Sequence, residues 1–110
     1  MKELLVYKKA EVLLQNVYPI IRNFPNAEKY ALALEVKQAF FRLLRNIVLA
    51  NNIKSRRRLH QEEADAEIKL LLVLFSVAKN QKYISKGKHY ELQVKLEEIG
   101  RMLGGWMKSS

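Results

Sequence analysis

The chain contains no cysteine, which removes disulfides, thiol nucleophiles and cysteine-based zinc sites from consideration. Its two prolines and four glycines form no linker, no low-complexity tract and no phosphate-cradling glycine loop. Histidine is scarce, with only His60 and His89. His60 followed by Glu63 is the nearest approach to the Glu-x-x-His pairs of di-iron bundles, but in reversed order and without a second copy. Nothing resembles a nucleophile-and-base arrangement, so the expected protein is not an enzyme and has neither metal nor cofactor. Long apolar runs are also missing. The longest, Leu70 to Phe75, falls far short of the ~20 residues a membrane span requires. With no signal peptide or lipidation motif in view, a cytoplasmic setting without a membrane partner is expected. Acidic residues are outnumbered, 11 Asp+Glu against 20 Lys+Arg, for a net charge of +9. That imbalance points to an anionic partner, RNA or DNA first.

Apolar residues, 49% of the chain, recur at helical spacing in four stripes. The first is Val6, Ala10, Leu13, Val17, Ile20 and Phe24; the second is Ala33, Val36, Phe40, Leu43, Ile47 and Ala50. The third is Ala64, Ile68, Leu71, Phe75 and Ala78; the fourth is Leu92, Leu96, Ile99, Leu103 and Trp106. Steps alternating between three and four residues mark amphipathic helices, and no segment alternates long enough for a strand. Breakers fall between the stripes, at Pro25-Asn26, Asn51 to Ser55 and Tyr83 to Ser85. Asn26, Ser55 and Ser85 are the expected N-caps, and Pro19 predicts a kink or early stop in the first helix. Connections this short favour antiparallel neighbours. The expected fold is all-α, an up-down-up-down four-helix bundle in one domain over residues 1–110.

Some apolar surface exceeds a single seam. Leu70, Val73 and Leu74 make the third helix greasy all round, and Tyr7, Leu14, Tyr18 and Ile21 form a second stripe on the first helix. Both features predict self-association. Gly100 and Gly104 share a helix face, so a close backbone approach is expected there, with overpacking on Gly104→Leu. Trp106 ends the fourth stripe.

Basic residues gather at two places. Lys54, Arg56, Arg57 and Arg58 crowd the junction before the third helix, where they oppose the helix dipole, and Arg42 and Arg45 lie on one face of the second helix, toward that loop. Lys79, Lys82, Lys86 and Lys88 form another group, expected at the opposite end near Arg22 and Lys29. Both groups are candidate phosphate contacts. Glu62, Glu63, Asp65 and Glu67 read as a solvated acidic face. Phe40, Phe41, Phe75 and Trp106 read as core, and only Tyr83 and Tyr90 flank the lysines. Binding should therefore be mainly electrostatic and weakly sequence-specific.

The chain also resembles the accessory variability determinant (Avd) family of diversity-generating retroelements, and their relatives, the four-helix-bundle proteins encoded in rRNA intervening sequences. The match rests on Val17-Tyr18-Pro19-Ile20 with Phe24-Pro25, Glu63-Ala64, Ala78-Lys79, Tyr83-Ile84-Ser85 and, most specifically, Glu98-Ile99-Gly100-Arg101-Met102-Leu103-Gly104-Gly105-Trp106. The resemblance implies a non-catalytic bundle assembled as a pentameric barrel. It implies binding to a reverse transcriptase and to nucleic acid, in support of mutagenic cDNA synthesis and its transfer into a variable gene. Leu72 and Ser76 depart from the pattern, standing where relatives often carry arginine. The alternatives are a stand-alone bundle of the intervening-sequence type and an oligomeric adaptor that binds no nucleic acid.

Overall fold

Each apolar stripe folds as a helix with its stripe turned inward. In a computed structural model, which describes residues 2–110 with side chains from Leu5 onward, the helices are α1 (Lys2–Arg22), α2 (Leu32–Asn52), α3 (Arg57–Asn80) and α4 (Lys86–Ser109). Short 3-10 turns at Asn26–Glu28 and Lys54–Arg56 lie in the first two connections. No strand occurs among the described residues, and no described helix is long and apolar enough to cross a membrane. Helices of this length run about 30–36 Å at 1.5 Å per residue. The link from Ile53 to Arg56 is far too short to return that distance, so α2 and α3 are antiparallel. Each helix packs on two neighbours, in the cyclic order α1, α2, α3, α4, with no close backbone approach across the diagonals.

The second, third and fourth stripes are buried in full, and Phe40 meets Phe75 edge-on at 6.5 Å across the α2–α3 seam. In the first stripe Ile21 takes the place of Ile20, which is only partly buried. Pro19 does not stop α1, which continues to Arg22. The proline is exposed and close to the helix end, and Gln15, whose carbonyl loses an N–H partner, is also exposed. The second α1 stripe is not spare surface. Leu14 and Ile21 are buried and Tyr7 and Tyr18 pack on the core, while the Lys37 ammonium of α2 lies 5.6 Å from the centre of the Tyr18 ring.

Two of the three expected caps are replaced. Ser85 does cap α4, its Oγ accepting from the Lys88 N–H at 3.0 Å. Asn26 lies instead in the 3-10 turn, and α2 begins at Leu32, whose N–H donates to Glu28 Oε1 at 3.3 Å. Ser55 also lies in a 3-10 turn, and Arg56 precedes α3 with no side-chain cap. The end of α3 is a Schellman motif: Tyr83 N–H donates to Ala78 O at 2.8 Å and Lys82 N–H to Lys79 O at 2.9 Å. Lys82 holds the left-handed position with φ 67°.

The glycine face is open. A Cβ at Gly100 would meet Ile68 Cγ2 at 4.0 Å, ordinary contact, and one at Gly104 or Gly105 would meet nothing within 4 Å. The expected close approach and overpacking therefore do not occur within the chain, because Gly100 has room beside Ile68 of α3 and Gly104 faces no neighbour. Gly104→Ala should stabilise the folded chain by up to ~1 kcal/mol in urea unfolding, the helix-propensity difference; a loss of stability would reveal a neighbour packed on that face.

Candidate nucleic-acid interface

Ion pairing separates the basic residues into those engaged by the fold and those left over. At the arginine end, Arg57 turns back onto α2: Nε donates to Ala50 O at 2.7 Å and Nη2 to Asn51 O at 3.1 Å. The guanidinium thus caps the negative end of α2. This accounts for an arginine placed against the dipole of α3 without any ligand. Arg58 pairs with Glu62 at 3.5 Å. Of this cluster only Lys54 and Arg56 are exposed and in no ion pair among the described residues.

Arg42 is engaged within the fold, whereas Arg45 is in no ion pair among the described residues. Arg42 Nε contacts Glu67 Oε2 at 2.9 Å across the α2–α3 seam, and that hydrogen bond raises the arginine pKa above its ordinary value. Arg45, exposed, flanks a shallow groove with Asn46, His60 and Glu63. His60 Nδ1 lies 3.3 Å from Asn46 Oδ1 and 3.8 Å from Glu63 Oε2. His89 Nε2 is 3.4 Å from Ser76 Oγ. Among the described residues no group of three or more His, Asp or Glu is close enough to hold a metal ion.

The lysine end differs. The first and third connections meet there, as the up-down order requires. Tyr83 packs against Phe24 with ring centres 5.6 Å apart and planes tilted by 43°, and its hydroxyl donates to Glu28 Oε2 at 2.8 Å. That bond pushes the phenol pKa up, and it makes Tyr83 a strut rather than a stacking surface. Around this tie lie Arg22, Lys29 and Lys37 on one side and Lys79, Lys82 and Lys86 on the other. None is in an ion pair among the described residues. Lys88 is the exception nearby, held by Glu91 at 2.9 Å. Both oxygens of Glu28 are hydrogen-bonded within the fold, so these basic side chains outnumber the one exposed carboxylate in the first turn of α2, Glu35.

The aromatic and packing assignments also change. Phe41 is 49% exposed and is not core, and Tyr30, at 81%, is the most exposed aromatic. It follows the Pro25-Asn26 breaker and lies off the α2 stripe, which was its only sequence signal. Trp106 is core. Leu70 and Leu74 pack partly on the core, whereas Val73 is 59% exposed.

Arg57→Gln should destabilise the chain by about 1–2 kcal/mol in denaturant unfolding, since charge-assisted bonds to α2 carbonyls are lost. Arg56→Gln should stay within about 0.5 kcal/mol of the parent. Equal effects would remove the distinction between a structural and a free arginine.

The fold is similar to that of a crystal structure described as a protein of unknown function from the S23 ribosomal protein family of Bacteroides thetaiotaomicron. The TM-score is 0.87 at 17% identity, over 98% of this chain and 99% of that one. No curated protein matches the chain. Residues 4–110 match the family described as bAvd-like, a span that takes in the tyrosine-proline segment of α1, the Schellman turn and the glycine-tryptophan run of α4. The chain belongs to the bAvd-like family.

Proposed function

We propose that the protein is a non-catalytic, nucleic-acid-binding accessory subunit of a diversity-generating retroelement, acting as a homo-oligomer beside a reverse transcriptase in the cytoplasm. Family membership supports the retroelement setting. The observation that carries nucleic-acid binding is the set of unpaired cations at the lysine end, Arg22, Lys29, Lys79, Lys82 and Lys86, with Glu28 engaged internally. Phosphates would be neutralised by these side chains, with Lys54 and Arg56 as a weaker contact at the other end. Arg57, Arg58, Arg42 and Lys88 have partners within the fold and contribute less.

Self-association is supported by two exposed apolar stripes on different faces. One is Leu59, Val73 and Val77 on α3, with the partly buried Leu70 beside them; the other is Leu34, Phe41 and Val48 on α2. Two unlike patches on one chain suit a heterologous contact, which closes into a ring when the rotation permits. Five subunits are the count the family resemblance favours. A ring would repeat the lysine end around an axis and raise affinity through avidity.

A second reading, a stand-alone bundle of the intervening-sequence type, is favoured by α3 itself. Ser76 contacts His89 and Leu72 is half-buried, so both positions serve contacts within the fold where relatives often present arginine. Co-purification with a reverse transcriptase encoded beside the gene separates the two readings.

In titrations with RNA and DNA of mixed sequence, affinity should fall steeply as salt rises. Replacing Lys79, Lys82 and Lys86 by Gln should lower the slope of log K against log salt by roughly 0.7–0.9 per lost contact. Replacing Lys54 and Arg56 should have the smaller effect; the reverse order would assign the interface to the arginine end. Light scattering should show a closed multimer that Val73→Glu dissociates. A monomeric parent at about tens of micromolar rules out the assembly, because stable interfaces bury on the order of 1,000 Å² or more.

A further inference from the structure

A cleft of about 230 Å³ lies between the end of α1 and the start of α2, lined by Arg22, Asn26, Lys29 and Lys37 over a floor that includes Phe24 and Ala33. No carboxylate lines it. At a liquid-water share of roughly 30 Å³ per molecule, the space suits a phosphate and part of a sugar, not an enclosed base as well. Lys29 links the cleft to Tyr30, its Nζ lying 5.5 Å from the ring centre. Tyr30 is otherwise bare, and its hydroxyl makes no hydrogen bond among the described residues. The backbone carrying it is fixed on both sides, with Lys29 N–H bonded to Asn26 O at 3.1 Å and Ala31 N–H to Glu28 O at 3.0 Å. An aromatic ring held in water by a bonded turn, beside a lysine that also lines a cleft of three cations, has the composition of a base-stacking platform beside a phosphate seat.

We propose that this cleft and Tyr30 together bind one unpaired nucleotide of a single-stranded RNA or DNA, with the phosphate among Arg22, Lys29 and Lys37 and the base stacked on Tyr30. The proposal rests on the nucleic-acid-binding reading above and adds a choice of strand state. Lysines alone attract any polyanion, whereas a tyrosine ring reaches a base face only where the base is unstacked. The Asn26 amide provides a neutral partner for the sugar or a phosphate oxygen. Stacking is sequence-tolerant, because every base has a π-face.

The test uses the full chain and a labelled mixed-sequence 20-nucleotide strand, as RNA and as DNA, each alone and annealed to its complement. The parent should bind the single strands more tightly than the duplexes. Tyr30→Ala should weaken single-strand binding by roughly 5- to 100-fold and change duplex binding by less than about twofold, with Tyr30→Phe close to the parent. Arg22→Gln with Lys37→Gln should weaken both forms. Tyr30 is exposed, so an unchanged thermal melt checks that the variants are folded. If Tyr30→Ala leaves single-strand binding unchanged, or weakens both forms alike, the stacking site is overturned while nucleic-acid binding stands. If the parent binds neither form, the underlying reading fails with it.

Discussion

A helix in a four-membered ring of helices has only two neighbours, so it can hide only the part of its circumference that faces them. That limit governs where the apolar residues of this chain end up. On α1 the second stripe, Tyr7, Leu14, Tyr18 and Ile21, lies beside the first and is taken up by α2. On α3 the excess lies opposite the core stripe, where neither α2 nor α4 reaches, and Val73 and Val77 stay exposed. The same apolar content therefore has opposite consequences on the two helices, decided by a rotation about the helix axis. One surplus completes the fold; the other stays at the surface.

Charge follows a comparable division. Most carboxylates along the body of the bundle have partners, among them Glu11 with Lys8, Glu98 with Lys9, Glu67 with Arg42, Asp65 with Lys69 and Glu91 with Lys88. Lys9 holds the Glu98 carboxyl below its usual range through their hydrogen bond. Exposed pairs of this kind add little stability, yet they neutralise the sides of the molecule. Much of the positive charge that remains lies at the ends, with Arg45, Lys95 and Arg101 also unpaired along the sides among the described residues. At the lysine end the one carboxylate of the first connection, Glu28, receives the Leu32 N–H and the Tyr83 hydroxyl. The same contacts that fasten two connections together withdraw that acid from the surrounding lysines.

Periodicity made the core legible, since burial of a stripe follows from spacing alone. Residue type misleads where spacing does not: Phe40 lies on the stripe and at the α2–α3 seam, whereas Phe41, one step round the helix and off the stripe, is half exposed. Caps were less legible because the groups that satisfy helix ends arrive from unexpected positions. Glu28 reaches forward to Leu32, and Arg57 reaches back across a junction to Ala50. The glycines of α4 read as a packing face because spacing says which residues share a side, not whether anything stands there. The interface suffered similarly. Sequence density drew attention to Arg56, Arg57 and Arg58, but density does not say which guanidinium a carbonyl already occupies. Tyr30 carried almost no signal, being a residue off the stripe in a connection.

Lys82 brings backbone and charge together. The C′ position of a Schellman motif is usually glycine, because a side chain in the left-handed region crowds the following carbonyl, a penalty of about 1–2 kcal/mol. Here the position holds lysine at φ 67°, and the motif is intact, with both of its hydrogen bonds near 2.9 Å. The backbone strain is offset by those two bonds, but the lysine side chain itself is exposed and in no ion pair among the described residues. Arg57, by contrast, works against the dipole of its own helix and recovers hydrogen bonds to the preceding one. Of two locally unfavourable cations, then, the fold gives one side chain its partners and leaves the other side chain bare. The bare one stands beside Lys79 and Lys86, where the unpaired positive charge of the molecule is densest, and a ligand bearing phosphates would supply the contact that the chain itself does not.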